Sequence, residues 1–144
     1  GNKGSAKRLD FGLVGDLINA AARIESLTKH YGVMFLLTRE TYTKLSSPPP
    51  VRVVDEVIVK GKSVPLQLLE ARHAFTRADF DAIAAGYNVA FERYRAGEFV
   101  EAGELFSKLG KENDKPSVLM AARCAELASA PPAEWHGVYQ LQSK

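Results

Sequence analysis

The chain has 144 residues, of which 46% are hydrophobic and 25% are charged, a balance typical of a soluble globular protein. A formal net charge of +2 is too small to indicate binding to nucleic acid or to an acidic membrane surface, and no apolar run reaches the roughly 20 residues that span a bilayer. The one cysteine, Cys124, excludes an internal disulfide framework and is typical of a reducing compartment, so we expect a cytoplasmic location.

The first part of the chain predicts alternating strands and helices. Asp16 is a good N-cap, and Gly32 follows an apolar helical pattern as a good C′ residue. Thr38 can cap a second, short helix. The predicted order is a strand over 8–15, a helix over 16–31, a strand over 33–37, a helix over 38–45, and strands over 51–60 and 64–71 joined by a turn at 61–63. This order favours an α+β or α/β domain.

The character of the chain changes near residue 75, where we place a domain boundary. Apolar residues at helical spacing predict one helix before the turn at Ala96 and Gly97 and a second helix after it. Pro116 marks the start of a third helix, and Pro131 follows its end. We therefore expect two units, 1–75 and 76–144, the second an α-helical hairpin extension.

Two polar residues on the first predicted helix are candidates for binding a nucleotide. Asn19 and Arg23 stand four positions apart, so their side chains lie on one helical face about 6 Å apart at Cβ. An amide and a guanidinium so placed form a donor surface suited to ribose or phosphate oxygens. On spacing alone, a solvated helix face is the more common reading.

The surrounding segment GNKGSAKRLDFGLVGDLINAAARIE resembles the class III adenylate and guanylate cyclase pattern at nearly every fixed position. The matching positions are Gly1, Asn2, Gly4, Arg8, Asp10, Phe11, Gly15, Asp16, Asn19, Ala21, Ala22, Arg23 and Glu25. The similarity continues through VKGK at 59–62 and covers residues 1 to about 72. The extension is similar to one tetratricopeptide-like unit, as in bacterial cyclases that carry sensor domains.

The resemblance implies the C-terminal half of a ferredoxin-like cyclase domain and a role for five residues. It implies that Asn19 orients the ribose, that Arg23 meets the α-phosphate and its transition state, and that Lys60 meets the terminal phosphates. The purine-selecting position is Gly12, which has no side chain to read the base, although Leu13 can offer its backbone carbonyl. An isolated VKGK would favour a solvated hairpin lysine instead.

The resemblance also implies ATP as substrate, two Mg²⁺ or Mn²⁺ ions and an active site shared across a homodimer. The metal-binding aspartates belong to the N-terminal half of the domain; the chain begins without Met, and we expect that half to be missing, so the chain alone should be inactive. No metal ligand is assigned here, and the parent protein can be membrane-attached through other regions. The alternative is a non-catalytic cyclase-homology and helical-repeat module that acts as a regulatory or interaction partner.

Overall fold

The computed structural model describes residues 25–142, in which helices and strands mix in an α+β architecture, as the sequence predicts. The helices are α1 (Glu25–Tyr31), α2 (Arg39–Thr43), α3 (Phe80–Arg95), α4 (Phe99–Gly110) and α5 (Lys115–Ser129). The strands are β1 (Leu37–Thr38), β2 (Val51–Ile58), β3 (Leu66–Ala71) and β4 (Tyr139–Gln140). The finer assignment, half of a ferredoxin-like cyclase domain plus a helical hairpin, stays a prediction.

The strands form one sheet in the order β1-β3-β2-β4. The central pair, β2 and β3, is antiparallel, as the two Val- and Leu-rich runs and the glycine between them predict. β1 pairs antiparallel with β3, whereas β4, from the end of the described chain, pairs parallel with β2. The backbone N–H of Leu141 extends this last pairing by donating to the carbonyl of Ile58 at 2.9 Å.

A β-bulge at Val54 interrupts the pairing of β2 with β3. Val53 lies opposite Leu69 and Asp55 lies opposite Leu68, so Val54 is the additional residue on β2. Its carbonyl oxygen accepts a hydrogen bond from the hydroxyl of Tyr87 on α3 at 2.7 Å, which satisfies a backbone group left out of the ladder. The bulge also changes which face the following residues occupy, and Val54 and Asp55 are therefore both fully buried.

The end of α1 agrees with the predicted C-cap. Gly32 has φ +74°, and its N–H donates to the carbonyl of Thr28 at 2.9 Å, so glycine relieves the strain of a left-handed residue at this helix end. The start of the predicted helix, Asp16, and the strand predicted over 8–15 lie outside the described residues.

The strand predicted over 33–37 is largely wrong, because β1 is only two residues long. Phe35 and Leu36 are buried in two separate core clusters without belonging to the ladder. The apolar run therefore reflects side-chain burial rather than strand pairing, which periodicity alone cannot distinguish.

The three long helices form as the sequence predicts. Their shared core contains nine buried residues, which are Tyr87, Ala90, Phe91, Tyr94, Phe99, Ala102, Phe106, Met120 and Cys124. Gly97, with φ +84°, allows the turn between α3 and α4. Asp114 caps α5 by accepting from the N–H of Ser117 at 3.2 Å, and Pro116 follows in the first turn.

The helical segment packs directly on the sheet. α3 contacts β2, and β4 joins the sheet after α5 has ended. The predicted boundary near residue 75 stays a prediction, but side chains on both sides of it are buried together, as the site geometry shows.

Candidate functional site

Most of the predicted site residues lie outside the described residues. This applies to Gly12, Leu13, Asn19 and Arg23, all of which precede α1. Lys60 is described, and it is solvent-exposed in the turn that follows β2.

The turn around Lys60 has a defined backbone geometry. The N–H of Lys62 donates to the carbonyl of Val59 at 2.9 Å, which closes a four-residue turn with Lys60 and Gly61 at its centre. Gly61 has φ +85°, while Lys60 is not among the residues with positive φ, so the turn is of type II and requires glycine at its third position. Within residues 25–142, the Lys60 ammonium group forms no ion pair. The turn therefore presents Lys60 to solvent, available to an anionic group.

A buried polar cluster, which we call the Asp55 cluster, connects α1 to the helical segment. The hydroxyl of Tyr31 and the Nη1 of Arg123 each donate to Oδ2 of Asp55 at 2.5 Å. Arg123 also donates to the hydroxyl of Tyr94 at 3.1 Å, and its guanidinium lies 3.9 Å from the centre of the Tyr139 ring. The cluster thereby joins side chains of α1, β2, α3, α5 and β4.

The Asp55 cluster is almost completely shielded from water. Asp55, Tyr31 and Tyr94 are at most 1% exposed, and Arg123 is 6% exposed. Burial and the nearby Asp55 carboxylate raise the pKa of Tyr31, so its hydroxyl stays protonated and donates. Burial has the largest effect on the pKa of Arg123 and lowers it, but the charge of Asp55, the neighbouring tyrosine hydroxyls and the hydrogen bond to Asp55 together outweigh burial and raise that pKa.

A second buried cluster, which we call the Arg52 cluster, lies elsewhere between the sheet and α5. Arg52 donates from Nε to Glu70 at 2.8 Å and from Nη1 and Nη2 to the two carboxylate oxygens of Asp114 at 2.8 and 2.7 Å. The Ser117 hydroxyl donates to the same Asp114 at 2.5 Å. A bidentate arginine–carboxylate pair is a strong and directional contact. The cluster therefore fixes the start of α5 on β2 and β3.

The two carboxyl groups of the Arg52 cluster have opposite pKa shifts. Burial raises the pKa of Glu70 despite the opposing charge of Arg52. For Asp114, the hydrogen bonds from Arg52 and Ser117 and the charge of Arg52 together outweigh burial and lower the pKa. Burial works against the charge of Arg52 as well, but its hydrogen bond to Asp114 and its two anionic neighbours keep its pKa raised.

Sequence reasoning did not identify either cluster. The available signal was a charged residue at a position where the pattern requires an apolar one, such as Asp55 among the valines of β2 or Arg123 beside buried Met120 and Cys124. Buried charges are seldom unpaired in folded proteins, so such positions indicate a partner elsewhere in the chain. The identity of that partner, more than 60 residues away in each case, depends on the tertiary fold.

A pocket of about 470 Å³ borders the turn that holds Lys60 and is lined by Gly61, Lys62, Ser63, Val64 and Leu66, but Lys60 itself is not one of its lining residues. A 220 Å³ cleft lies beside the Arg52 cluster and includes His73, but it is smaller than the roughly 300 Å³ at which ligand pockets begin. Within residues 25–142, no group of three or more His, Cys, Asp or Glu side chains is placed to hold a metal ion, and no helix is long and apolar enough to cross a membrane. Two features of the described residues bear on the predicted nucleotide site. They are the exposed Lys60 and the buried contacts of the Asp55 cluster that hold the end of α1.

Comparisons with known proteins identify two similar sequences. An adenylate cyclase of Anabaena cylindrica is 37% identical over 75 residues, which cover 50% of this chain and 15% of that protein. The terminal-differentiation-specific adenylate cyclase of Dictyostelium discoideum is 28% identical over 131 residues, which cover 85% of this chain and 6% of that protein. Both similar proteins are adenylate cyclases by name. It matches no family model and no solved structure, and it spans only a small part of either relative.

Proposed function

We propose that this chain is the C-terminal half of a class III adenylate cyclase catalytic domain, within a protein that makes cyclic AMP and pyrophosphate from ATP for cyclic-nucleotide signalling. The observation that carries the proposal is the ordered cyclase pattern of residues 1–25, which includes Asn19 and Arg23. The sequence similarity to two adenylate cyclases also supports the proposal. The exposed Lys60, two residues beyond β2, fits a phosphate-binding role.

In the proposed reaction, the 3′-oxygen of ATP attacks the α-phosphorus. The bond from this oxygen to phosphorus forms while the bond from phosphorus to the bridging oxygen of pyrophosphate breaks. Negative charge spreads over the non-bridging oxygens, and the guanidinium of Arg23 stabilises that charge. Asn19 holds the ribose so that its hydroxyl is in line with the leaving pyrophosphate.

Lys60 binds the terminal phosphates in this proposal. A lysine ammonium acts on phosphate as a compact point charge, and it is most effective where no carboxylate competes for it. The type II turn holds the backbone of Lys60 rigidly between β2 and Gly61 while leaving the side chain in solvent. Neutralising charge on the leaving pyrophosphate helps both binding and departure.

Base recognition is the least complete part of the proposed site. Gly12 cannot hydrogen-bond to the purine through a side chain, so the backbone carbonyl of Leu13 is the contact that this half contributes. The remaining selectivity is then assigned to the other half of the domain.

The proposal assigns the two divalent metals, Mg²⁺ or Mn²⁺, to aspartates outside residues 25–142, since the described carboxylates do not form a metal-binding group. When bound, such ions would neutralise phosphate charge and favour ionisation of the attacking hydroxyl. The site would be completed by the N-terminal half of the domain in a homodimer. We therefore propose that the chain alone is inactive.

The test compares lysine variants at two neighbouring positions in a full-length protein that contains this chain. Lys60→Ala should lower kcat/KM for ATP by about 10- to 100-fold, because a charged contact to the terminal phosphates is lost. Lys62→Ala is the matched control, since Lys62 is exposed in the same turn, and it should change kcat/KM less than about threefold. Cyclic AMP and pyrophosphate should form in equal amounts.

Arg23→Ala tests the catalytic assignment in the same assay. We expect kcat to fall by about 10²- to 10³-fold with a much smaller change in KM, because the contact acts mainly on charge that develops in the transition state. A full-length protein that forms no cyclic AMP from ATP with Mg²⁺ or Mn²⁺ would favour the non-catalytic regulatory module. Equal effects of Lys60→Ala and Lys62→Ala would remove Lys60 from the site.

A further inference from the structure

The Asp55 cluster lies at the C-terminal end of the helix that the sequence predicts to carry Asn19 and Arg23. Tyr31 is the last residue of α1 and is 1% exposed. Its hydroxyl donates to Asp55 at 2.5 Å, and through Asp55 it is connected to Arg123 of α5. Arg123 of the helical segment thus contacts the same Asp55 carboxylate that accepts the hydrogen bond from Tyr31 of α1.

Removing any member of this cluster would leave the others poorly paired. Both strong donors to Asp55 Oδ2 come from outside β2, whereas among the described residues the donor to Oδ1 is the neighbouring backbone N–H of Glu56 at 2.8 Å. A buried carboxylate that loses a donor cannot replace it with water and must shift or change its pairing. The position of Asp55 therefore depends on Tyr31 and Arg123 together.

The sequence predicts one helix over residues 16–31, and along that predicted helix a shift at Tyr31 would be transmitted to Arg23. Arg23 precedes Tyr31 by eight residues, which is about 12 Å along a continuous α-helix. A helix transmits axial displacement and rotation along such a distance because its backbone hydrogen bonds make it stiff. Misplacement of a catalytic group by about 1 Å can lower a rate by about 10²-fold.

We infer that Tyr31, Asp55 and Arg123 are positioning residues for the cyclase reaction. Arg123, from the helical extension, holds Asp55 in place. Asp55 in turn holds Tyr31, at the end of the helix that the sequence predicts to carry Arg23. The inference rests on the proposed function of Arg23. It makes α5 a structural part of the catalytic half rather than a separate appendage.

The Arg52 cluster offers a matched control for a purely stabilising role. Ser117, like Tyr31, is fully shielded and donates its hydroxyl to a buried carboxylate at 2.5 Å. The Arg52 cluster ties α5 to β2 and β3 but has no hydrogen bond to α1 among those of the described residues. Each variant therefore removes one buried hydroxyl. Tyr31→Phe removes a hydroxyl of α1, whereas Ser117→Ala removes one from a cluster that has no described hydrogen bond to α1.

The experiment uses the full-length protein that contains this chain, with Tyr31→Phe, Ser117→Ala and Arg23→Ala made separately. Tyr31→Phe keeps the aromatic ring and its packing, so we expect a folded protein with kcat lowered about tenfold and KM within about threefold of wild type. Ser117→Ala should leave kcat within about twofold. Hydrogen exchange of the peptide over residues 16–31 should become at least about fivefold faster in Tyr31→Phe and stay unchanged in Ser117→Ala.

Arg123 gives a second, independent variant. Arg123→Lys keeps a cation but cannot contact Asp55 and Tyr94 with the same planar group. We expect its kcat to lie between those of wild type and Arg123→Met, with the same order in the exchange of residues 16–31.

The outcomes separate this inference from the proposed function. A wild-type protein that makes no cyclic AMP, or an Arg23→Ala variant as active as wild type, would overturn the proposed function, and the exchange data would still decide the coupling. An inactive Arg23→Ala together with unchanged kcat in Tyr31→Phe would overturn the inference alone. Unchanged exchange over residues 16–31 in Tyr31→Phe, or equal losses of kcat in Tyr31→Phe and Ser117→Ala, would also overturn it.

Discussion

Replacing Arg52 with methionine should be the most destabilising single change in the second buried cluster. Methionine keeps most of the stem volume but removes three charged hydrogen bonds, and it leaves the carboxyl groups of Glu70 and Asp114 buried without a cation. Breaking a buried ion pair on one side typically costs about 3–5 kcal/mol. We expect the free energy of unfolding at pH 7.5 to fall by about this amount.

The loss of unfolding free energy caused by Arg52→Met should be smaller at lower pH. In the native cluster the charge of Arg52 lowers the pKa of Glu70 against the stronger effect of burial, so its removal raises that pKa further. A carboxyl group whose pKa is higher in the folded than in the unfolded chain favours folding below its unfolded pKa, and this benefit is lost as the pH rises through the folded pKa. In the wild type, the lowered pKa of Asp114 contributes stability that is lost only as the pH falls below its ordinary acidic pKa, so between pH 5 and 7.5 the predicted change comes from Glu70.

Urea denaturation of the wild type and of Arg52→Met between pH 5 and 7.5 provides the measurement. The control is Arg93→Met, because Arg93 pairs with Glu98 at 3.0 Å on the surface, where both side chains are more than 40% exposed. An exposed pair is screened by solvent, so its loss should change the free energy of unfolding much less than the loss of Arg52, with little dependence on pH in this range. A penalty for Arg52→Met below about 1.5 kcal/mol, or one that is the same at both pH values, would refute the reasoning.

Two further predictions concern the thiol and the subunit arrangement. Burial raises the pKa of Cys124 to about 11, so at pH 8 the folded chain should react with iodoacetamide at least about 100-fold more slowly than the chain in denaturant; equal rates would show that the thiol is accessible. If the active site is shared between subunits, mixing full-length Arg23→Ala with a variant lacking a metal-binding aspartate should restore roughly a quarter of wild-type activity, because each mixed dimer has one intact site. No recovery after demonstrated subunit exchange would place both functions on one subunit.

The local elements of this fold could be predicted from sequence because their signals are local. Gly97 and Pro116 mark the helix boundaries through their backbone preferences, and the apolar spacing of α3 matches its buried face. The strands β2 and β3 follow from their β-branched and leucine-rich runs on either side of Gly61.

The parts that could not be predicted depend on contacts between distant segments. The bulge at Val54 places Asp55 in the core, whereas regular alternation would not bury both residues. The partner of Asp55 is Arg123, and nothing in the local sequence of either residue specifies the other. The same holds for β4, which has two residues and pairs with β2, a strand that lies before the three long helices in the chain.

The candidate site likewise has a part that could be predicted from sequence and a part that could not. Motif resemblance gave roles to Asn19, Arg23 and Lys60, of which Lys60 lies in the described part of the chain and is exposed as its proposed role requires. The contacts of Tyr31 and Arg123 with Asp55, on which we base the proposed positioning of Arg23, could be seen only in the three-dimensional structure.

The position of β4 has a consequence for biosynthesis. Tyr139 lies opposite Val57, so the partner of this part of β2 is translated about 80 residues later and emerges from the ribosome only after the three long helices. Until then, the β2 edge of the sheet offers unpaired backbone groups to other nascent chains. Early termination before residue 139 should therefore leave a product that is prone to self-association, and completion of the sheet becomes a late, non-local step in maturation.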